Sequence, residues 1–289
     1  MDNLFLKFEE RYTSVPQDEN YFYFYKHLSF DEKFNVLGVI NNNEFKYTNP
    51  IDFNDPFDCH FTTEIDFTNF NKKNAELVFK QKIPAKKWLQ VKEKIKAGIR
   101  TKMLENFTQR FREELAVTCF NTDPLNMLMW SHYAYNHTGF LLEFRIPKSL
   151  KISDRPLPVS YNNDYPVIKL NWNVGDYVQK QKIQVELGEK MSLIKAECWS
   201  YENEFRLLHD GFERKEGQLI LKKYNPEILC SVIAGAKIKQ AALEKLSESI
   251  KNFNIKHNLN IQVFKAQLAE REFKIVVPQH PRLSNRKFI

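Results

Sequence analysis

Between Tyr21 and His27 the chain reads YFYFYKH, five aromatic side chains in a row followed by a lysine and a histidine. Such a run favours a β-strand, and it is too hydrophobic to form a solvent-facing edge. The chain must therefore build a sheet around it. Next, Ser29-Phe30-Asp31-Glu32 has the form of a capping box, in which a serine hydroxyl and a glutamate carboxylate satisfy the first free amides of a helix. The helix it predicts carries Phe34, Leu37 and Ile40 and stops in Asn41-Asn42-Asn43. A short strand, Glu44–Thr48, follows. Asn49-Pro50 breaks it and opens the loop IDFNDPFD.

Further strands are expected at Leu115–Phe120, Gly139–Ile146, Leu157–Tyr161, Trp199–Leu208 and Ile228–Ala234. A hairpin of Ile261–Leu268 with Phe273–Val277 is expected to close the chain. MLMWSHYAYNH reads as a short helix or tight turn, Asn171–Ala196 as a polar helix, and Ala241–Phe253 as an amphipathic helix. No internal repeat is present. The class is α+β: a mixed β core with helices, read as one domain over residues 1–289.

Charge is concentrated in one place. Between Asn71 and Arg112 there are thirteen Lys and Arg against three Glu, so a chain of net charge +7 is slightly acidic everywhere else. In that segment Trp88, Val91, Ile95, Ile99, Met103, Phe107, Phe111 and Leu115 trace one apolar helical stripe, with Pro84 marking a break before it. Lys92, Lys94, Lys96, Arg100 and Lys102 fall mostly off the stripe. Residues 68–114 thus read as a basic helical insertion, with Lys92, Lys96 and Arg100 as candidate contacts to DNA or RNA. A solvated helix face accounts for the same pattern.

No run of about 18 apolar residues occurs, so no membrane span or membrane partner is expected. The first residues carry acids within their only apolar stretch and do not resemble a secretory signal. Cys59, Cys119, Cys198 and Cys230 are far apart and are expected to be reduced, buried thiols of a cytoplasmic protein. Nothing in the sequence fixes an oligomeric state.

The sharpest chemical feature is WSYENEFRLL, Trp199–Leu208. On a strand, Glu202, Glu204 and Arg206 share one face while Tyr201, Phe205 and Leu207 share the other. Two adjacent carboxylates raise the pKa of one of them, and Arg206 offsets part of that effect. The trio suits holding a sugar hydroxyl, steadying a developing positive charge or binding a metal; a solvated face with a cross-strand ion pair is the plainer reading. Asn54, Asp55 and Asp58 lie in a loop pinned by two prolines, where Asx residues also serve as turn formers. His132 and His137 are poorly spaced for a metal site on one helix, with or without Cys119. A Cys119–His132 nucleophile pair depends on geometry beyond the sequence. Lys26, at a strand end before a helix, is placed for phosphate or is a rim charge.

Together these blocks resemble the bacterial family of domains of unknown function numbered 2971. The resemblance rests on Tyr25-Lys26-His27, Asn54-Asp55-Pro56-Phe57-Asp58, Cys119-Phe120, Met129–Tyr133 (with Trp130, His132 and Tyr133), His137 with Gly139, Trp199–Arg206 and Ile233–Gly235. It covers residues from about 22 to 240, and the basic segment has no counterpart in it. The order of elements is similar to the ADP-ribosyltransferase fold, especially that of bacterial DNA-modifying toxins. This likeness implies NAD as substrate and no metal. Lys26 would contact NAD, with Tyr25 and His27 beside it. Tyr47 would stack near nicotinamide, Glu204 would bond the ribose with Glu202 as its neighbour, and Asn54, Asp55, Trp130, His132 and Tyr133 would complete the pocket. Lys26 replaces the usual His or Arg, and the Asn-Asp-Pro loop is foreign to the transferase pattern. A toxin or anti-phage effector is the implied setting. Two other functions stay open: a nuclease holding Mg²⁺ on Asp55, Asp58, Glu202 and Glu204 with Lys26 or Lys195 nearby, and a non-catalytic nucleic-acid-binding subunit.

Overall fold

The structure, a computed structural model, describes residues 9–68, 70–171, 191–209 and 219–284. Its strands are β1 (Tyr21–Leu28), β2 (Glu44–Tyr47), β3 (Thr62–Asp66), β4 (Ala116–Asn121), β5 (Phe140–Pro147), β6 (Leu157–Pro158), β7 (Ser160–Asn162) and β8 (Val167–Asn171). Then come β9 (Ile194–Ala196), β10 (Glu204–His209), β11 (Ile220–Lys223), β12 (Leu229–Ala234), β13 (Gln262–Lys265), β14 (Gln267–Leu268) and β15 (Ile275–Val276). The helices are α1 (Gly38–Asn41), α2 (Lys72–Phe79), α3 (Ala85–Glu114), α4 (Met127–His132) and α5 (Gln240–His257).

The aromatic run forms the middle of a seven-stranded sheet ordered β13-β12-β5-β1-β4-β10-β6. Phe22 and Phe24 enter one apolar cluster, with Phe120, Phe144, Phe205 and the inner face of α5 (Leu246, Ile250, Phe253). Tyr23 and Tyr25 enter a second, with Trp130, Leu141, Ile233 and Ile275. Strand alternation sends successive rings to opposite faces, and both faces are covered. All pairings in this sheet are antiparallel except β12 with β13. The expected closing hairpin is thus only partly formed: Gln262–Lys265 extends the main sheet, and the short pair β14 and β15 makes the turn back.

Several local expectations are corrected. Ser29 and Glu32 do not cap a helix. Asp31 does the work instead, accepting from the amides of Lys33, Asn35 and Val36, while Ser29 Oγ donates to Tyr133 O. The helix is correspondingly short. Leu157–Tyr161 divides into β6 and β7. Residues 172–190 of the expected polar helix lie outside the described residues, and its end, Ile194–Ala196, is a strand paired with β7. Gly139 and Gly235 sit where backbones meet: a Cβ on Gly139 would lie 2.1 Å from Leu28 O, and one on Gly235 would lie 2.2 Å from His137 O. Their place is architectural.

The basic segment forms α2 and α3, packed through Phe67, Phe70, Ala75 and Ile99, with Trp88 and Ile95 against them. The C-terminal end of α3 is tied down by Asn49, whose Nδ2 donates to the carbonyls of Arg112, Glu113 and Leu115. No described helix is long and apolar enough to cross a membrane.

The C-terminal residues are latched to the sheet through Glu143, fully buried on β5. Glu143 accepts from Ser231 Oγ at 2.5 Å and from Arg282 Nε and a terminal guanidinium nitrogen at 2.9 and 2.5 Å. His280 Nε2 lies 3.3 Å away. Burial alone would raise the pKa of Glu143. The hydrogen bonds from His280 and Arg282, with the guanidinium charge, outweigh burial and hold it at about 2. A folded value below the unfolded one gives stability that is present above the ordinary 4.5 and is lost as pH falls from there through about 2. The loss over that window is expected to be about 3 kcal/mol. Denaturant unfolding across the window measures it. Glu143→Gln should lower stability near neutral pH and shrink the acid-dependent loss, and an unchanged loss would remove Glu143 as its cause.

Candidate active site

β1 pairs with β5 along its whole length but meets β4 only at Tyr25 opposite Asn121. Beyond that point the two strands part. β4 finds other backbone partners there, with Thr48 and Val117 exchanging both hydrogen bonds at 2.8 and 2.9 Å. The gap is spanned by Lys26, whose Nζ donates to Thr118 Oγ1 at 2.9 Å and to Cys119 O at 2.8 Å. A cavity of about 440 Å³ opens at this fork. Lys26, Lys46, Lys195, Glu202 and Glu204 line it, with Phe53 and Tyr133 among the remaining walls.

The acidic pair reaches the cavity by a route the sequence pattern did not give. Glu197–Glu202 is a 3₁₀ helix rather than the start of a strand, and β10 begins only at Glu204. Between them Asn203 adopts a left-handed conformation (φ 44°), one that asparagine tolerates better than most residues. That turn lets both carboxylates close on one ammonium: Lys195 Nζ lies 2.5 Å from Glu202 Oε2, 3.1 Å from Glu204 Oε2 and 3.6 Å from Asp58 Oδ2. Arg206, fully buried, grips Asp58 with two bonds of 2.9 and 2.6 Å and Glu204 with two of 2.7 and 3.0 Å. It also donates to Ser192 O at 2.7 Å. Three carboxylates and two cations therefore form one buried network.

The network pushes the two glutamates apart. For Glu204, burial opposes ionisation, but the charges of Arg206 and Lys195 outweigh it and hold the carboxyl well below the usual range. For Glu202, burial raises the pKa and Glu204 raises it further against the pull of Lys195. Tyr133 donates to Glu202 Oε1 at 2.5 Å, and burial keeps its hydroxyl protonated. Burial lowers Lys195, but Glu204 and Glu202 more than restore it, so its ammonium stays charged. Lys26 is held below the ordinary lysine range by burial, with Lys46 pushing the same way. Burial brings His27 down to about 3, so its imidazole is neutral, with Nδ1 2.7 Å from Asn121 Nδ2. One carboxylate held ionised beside one biased toward its protonated form is an arrangement suited to acid–base chemistry.

Of the residues singled out in the sequence, Tyr25, Lys26, His27, Asn54, His132, Tyr133, Glu202 and Glu204 line the cavity. Four do not. On β2 the alternation turns Lys46 and Thr48 toward the cavity and Tyr47 into the core, its ring 6.2 Å from that of His209. Asp55 is buried in its own turn, accepting from Phe57 N. Trp130 is fully buried, donates to Pro124 O and packs against His27 and His137. Arg206 does not line the cavity but is paired with two of the carboxylates that do. On α3, Lys96 is paired with Glu93 at 2.9 Å and lies over the Phe67 ring, which Arg100 also covers, while Lys92 is half-buried.

Residues 129–207 match the family model described as protein of unknown function (DUF2971). The matched segment is narrower than the motif resemblance. It holds Tyr133, Lys195, Glu202, Glu204 and Arg206, whereas Lys26 and the Asn54–Asp58 loop lie outside it. No curated protein and no solved structure matches the chain.

Sequence reasoning missed Lys195 as the centre of the network, together with Lys46 and Thr48. Lys195 was hidden in a stretch read as helix, and no local spacing reveals that Asp58, from a distant segment, joins Glu202 and Glu204 around it. Its position bears on metal chemistry as well. A divalent ion shared by Asp58, Glu202 and Glu204 would need the place that the Lys195 ammonium holds, and Asp55 points elsewhere. As placed, these carboxylates already neutralise Lys195, and Mg²⁺ would have to displace it. A nucleophilic thiolate fits no better, because burial and Glu204 raise the Cys119 pKa well above the ordinary value, and His132 Nδ1 lies 2.9 Å from Tyr201 Oη.

Proposed function

We propose that the cavity binds NAD and that the chain cleaves its nicotinamide–ribose bond, passing ADP-ribose to an acceptor or to water. The observation that carries this reading is that Glu202, Glu204 and Lys26 line one cavity at the fork between β1 and β4. In this ADP-ribosyltransferase-like arrangement Lys26 and Lys46 supply the charge that a diphosphate needs. The carboxylates supply the complement to a ribose that becomes positive at C1.

As the C1–nitrogen bond breaks, its electron pair leaves with nicotinamide and the ribose carries oxocarbenium character. Glu204, fixed in the ionised form by Arg206 and Lys195, faces that charge from a preorganised, largely dry position. Such a group is worth more there than in water. Glu202, held by Tyr133 and Lys195, takes the proton of the incoming water or acceptor hydroxyl as the new bond to C1 forms. Arg206 touches no substrate. It keeps Glu204 aimed.

The test is release of nicotinamide from labelled NAD by the purified chain, with a chelator present and with or without added nucleic acid. Nicotinamide release that is unaffected by the chelator is the expected result. Intact NAD under all these conditions, or turnover of nucleic acid that requires Mg²⁺ and not NAD, would overturn the reading.

A further inference from the structure

Outside the cavity, a one-sided charged surface lies on the solvent face of α2 and α3. Lys73, Lys80, Lys82, Lys86, Lys87 and Lys94 are exposed there. Across described positions 71–101 the exposed acid is Glu93, and it is already bonded to Lys96. At 100° per residue, Lys86, Lys87 and Lys94 fall on one side of α3 with Gln90 and Thr101 between them, opposite the side that carries Trp88, Ile95 and Ile99. The buried side explains the apolar stripe. It does not explain why exposed lysines so outnumber the exposed acid across these described positions, since a helix needs no such excess to stay soluble and like charges on one face repel.

α3 also leads somewhere. Its C-terminal end is fastened to the segment that follows β2: Arg112 donates to Pro50 O at 3.3 Å, and Asn49 holds the last carbonyls. The residues just after, Asp52, Phe53 and Asn54, line the cavity. At 1.5 Å per residue, Lys94 and Lys86 stand about 27 and about 39 Å up the helix from Arg112. A compact anion such as a mononucleotide cannot bridge that distance. A polymer of regularly spaced phosphates can, and about 8–12 base pairs would cover it.

We propose that the exposed face of α2 and α3 is a nucleic-acid-binding surface, on which Lys86, Lys87 and Lys94 contact successive phosphates and lead the strand toward the cavity. On the NAD reading, that polymer is the acceptor that enters beside Glu202. The binding itself does not depend on that reading. Recognition here is by backbone charge, so DNA and RNA are both bound and little base preference is expected.

The full chain is titrated, without NAD, with a fluorescent DNA duplex of about 24 base pairs, an RNA strand of similar charge and poly-glutamate of matched length, at several salt concentrations. Both nucleic acids should bind with a steep loss of affinity as salt rises. In the triple variant Lys86→Glu, Lys87→Glu, Lys94→Glu the slope of log affinity against log salt should be shallower by about three. Absent binding, binding by the variant equal to that of the parent, or equal affinity for poly-glutamate would each overturn the proposal. Nicotinamide release without nucleic acid, measured on the same variant, reports separately on the cavity. It should match the parent, because none of the three lysines lines that cavity.

Discussion

Arg206→Met should destabilise the chain by about 3–5 kcal/mol, the largest effect expected of any single substitution in the site. Arg206 is fully buried and makes two bonds to each of Asp58 and Glu204. Removing it strands two buried carboxylates, with only Lys195 left between them and Glu202. Part of that cost can be escaped if the stranded groups take up protons, so the variant should lose more stability at pH 8 than at pH 5. Urea unfolding at the two pH values measures both the size and the direction. A loss near about 1 kcal/mol, the scale of an exposed pair, would show that the network is hydrated.

The second large effect is on rate. Glu204→Gln is expected to slow nicotinamide release by about a hundredfold to a thousandfold while leaving the chain folded. Stability is spared because Asp58 still holds Arg206 and Glu202 still holds Lys195. Glu202 should respond as well. Part of its raised pKa comes from the charge of Glu204, so in the variant it ionises at lower pH, and the acidic limb of the residual activity, set by this base, shifts down with it. A pH–rate profile with a folded-state control by circular dichroism separates the two effects. Parent-like turnover by the variant would sink the role given to Glu204.

Much of the sheet was legible because its signal is local. The Tyr21–Leu28 strand announces itself through alternating rings that need cover on both sides, and α3 through an apolar stripe at helical spacing. The short strand Glu44–Tyr47 is legible for the same reason, although which of its faces meets the cavity is not: alternation says that Lys46 and Tyr47 point apart and leaves open which one points inward. The cap at Ser29 failed because its hydroxyl is drawn to Tyr133 O, and the helical turn begins further on, where Asp31 accepts from the amides of Lys33, Asn35 and Val36.

The carboxylate pair shows the limit most clearly. A strand reading brought Glu202 and Glu204 together by period two. In the fold they meet because Asn203 turns left-handed at the end of a 3₁₀ helix, so the pairing was anticipated and its cause was not.

By itself, the sequence determined the α+β class, the strands that carry the core, the basic helical segment and most of the polar residues around the cavity. Those follow from hydrophobic period and composition, which act over a few residues. Tertiary structure alone decided that β1 and β4 part after Tyr25, that Lys195 sits among three carboxylates and that Arg206 is a buried clamp. Each of these joins segments far apart in the chain, and the strength of a charge depends on which groups, and how much water, the fold brings beside it.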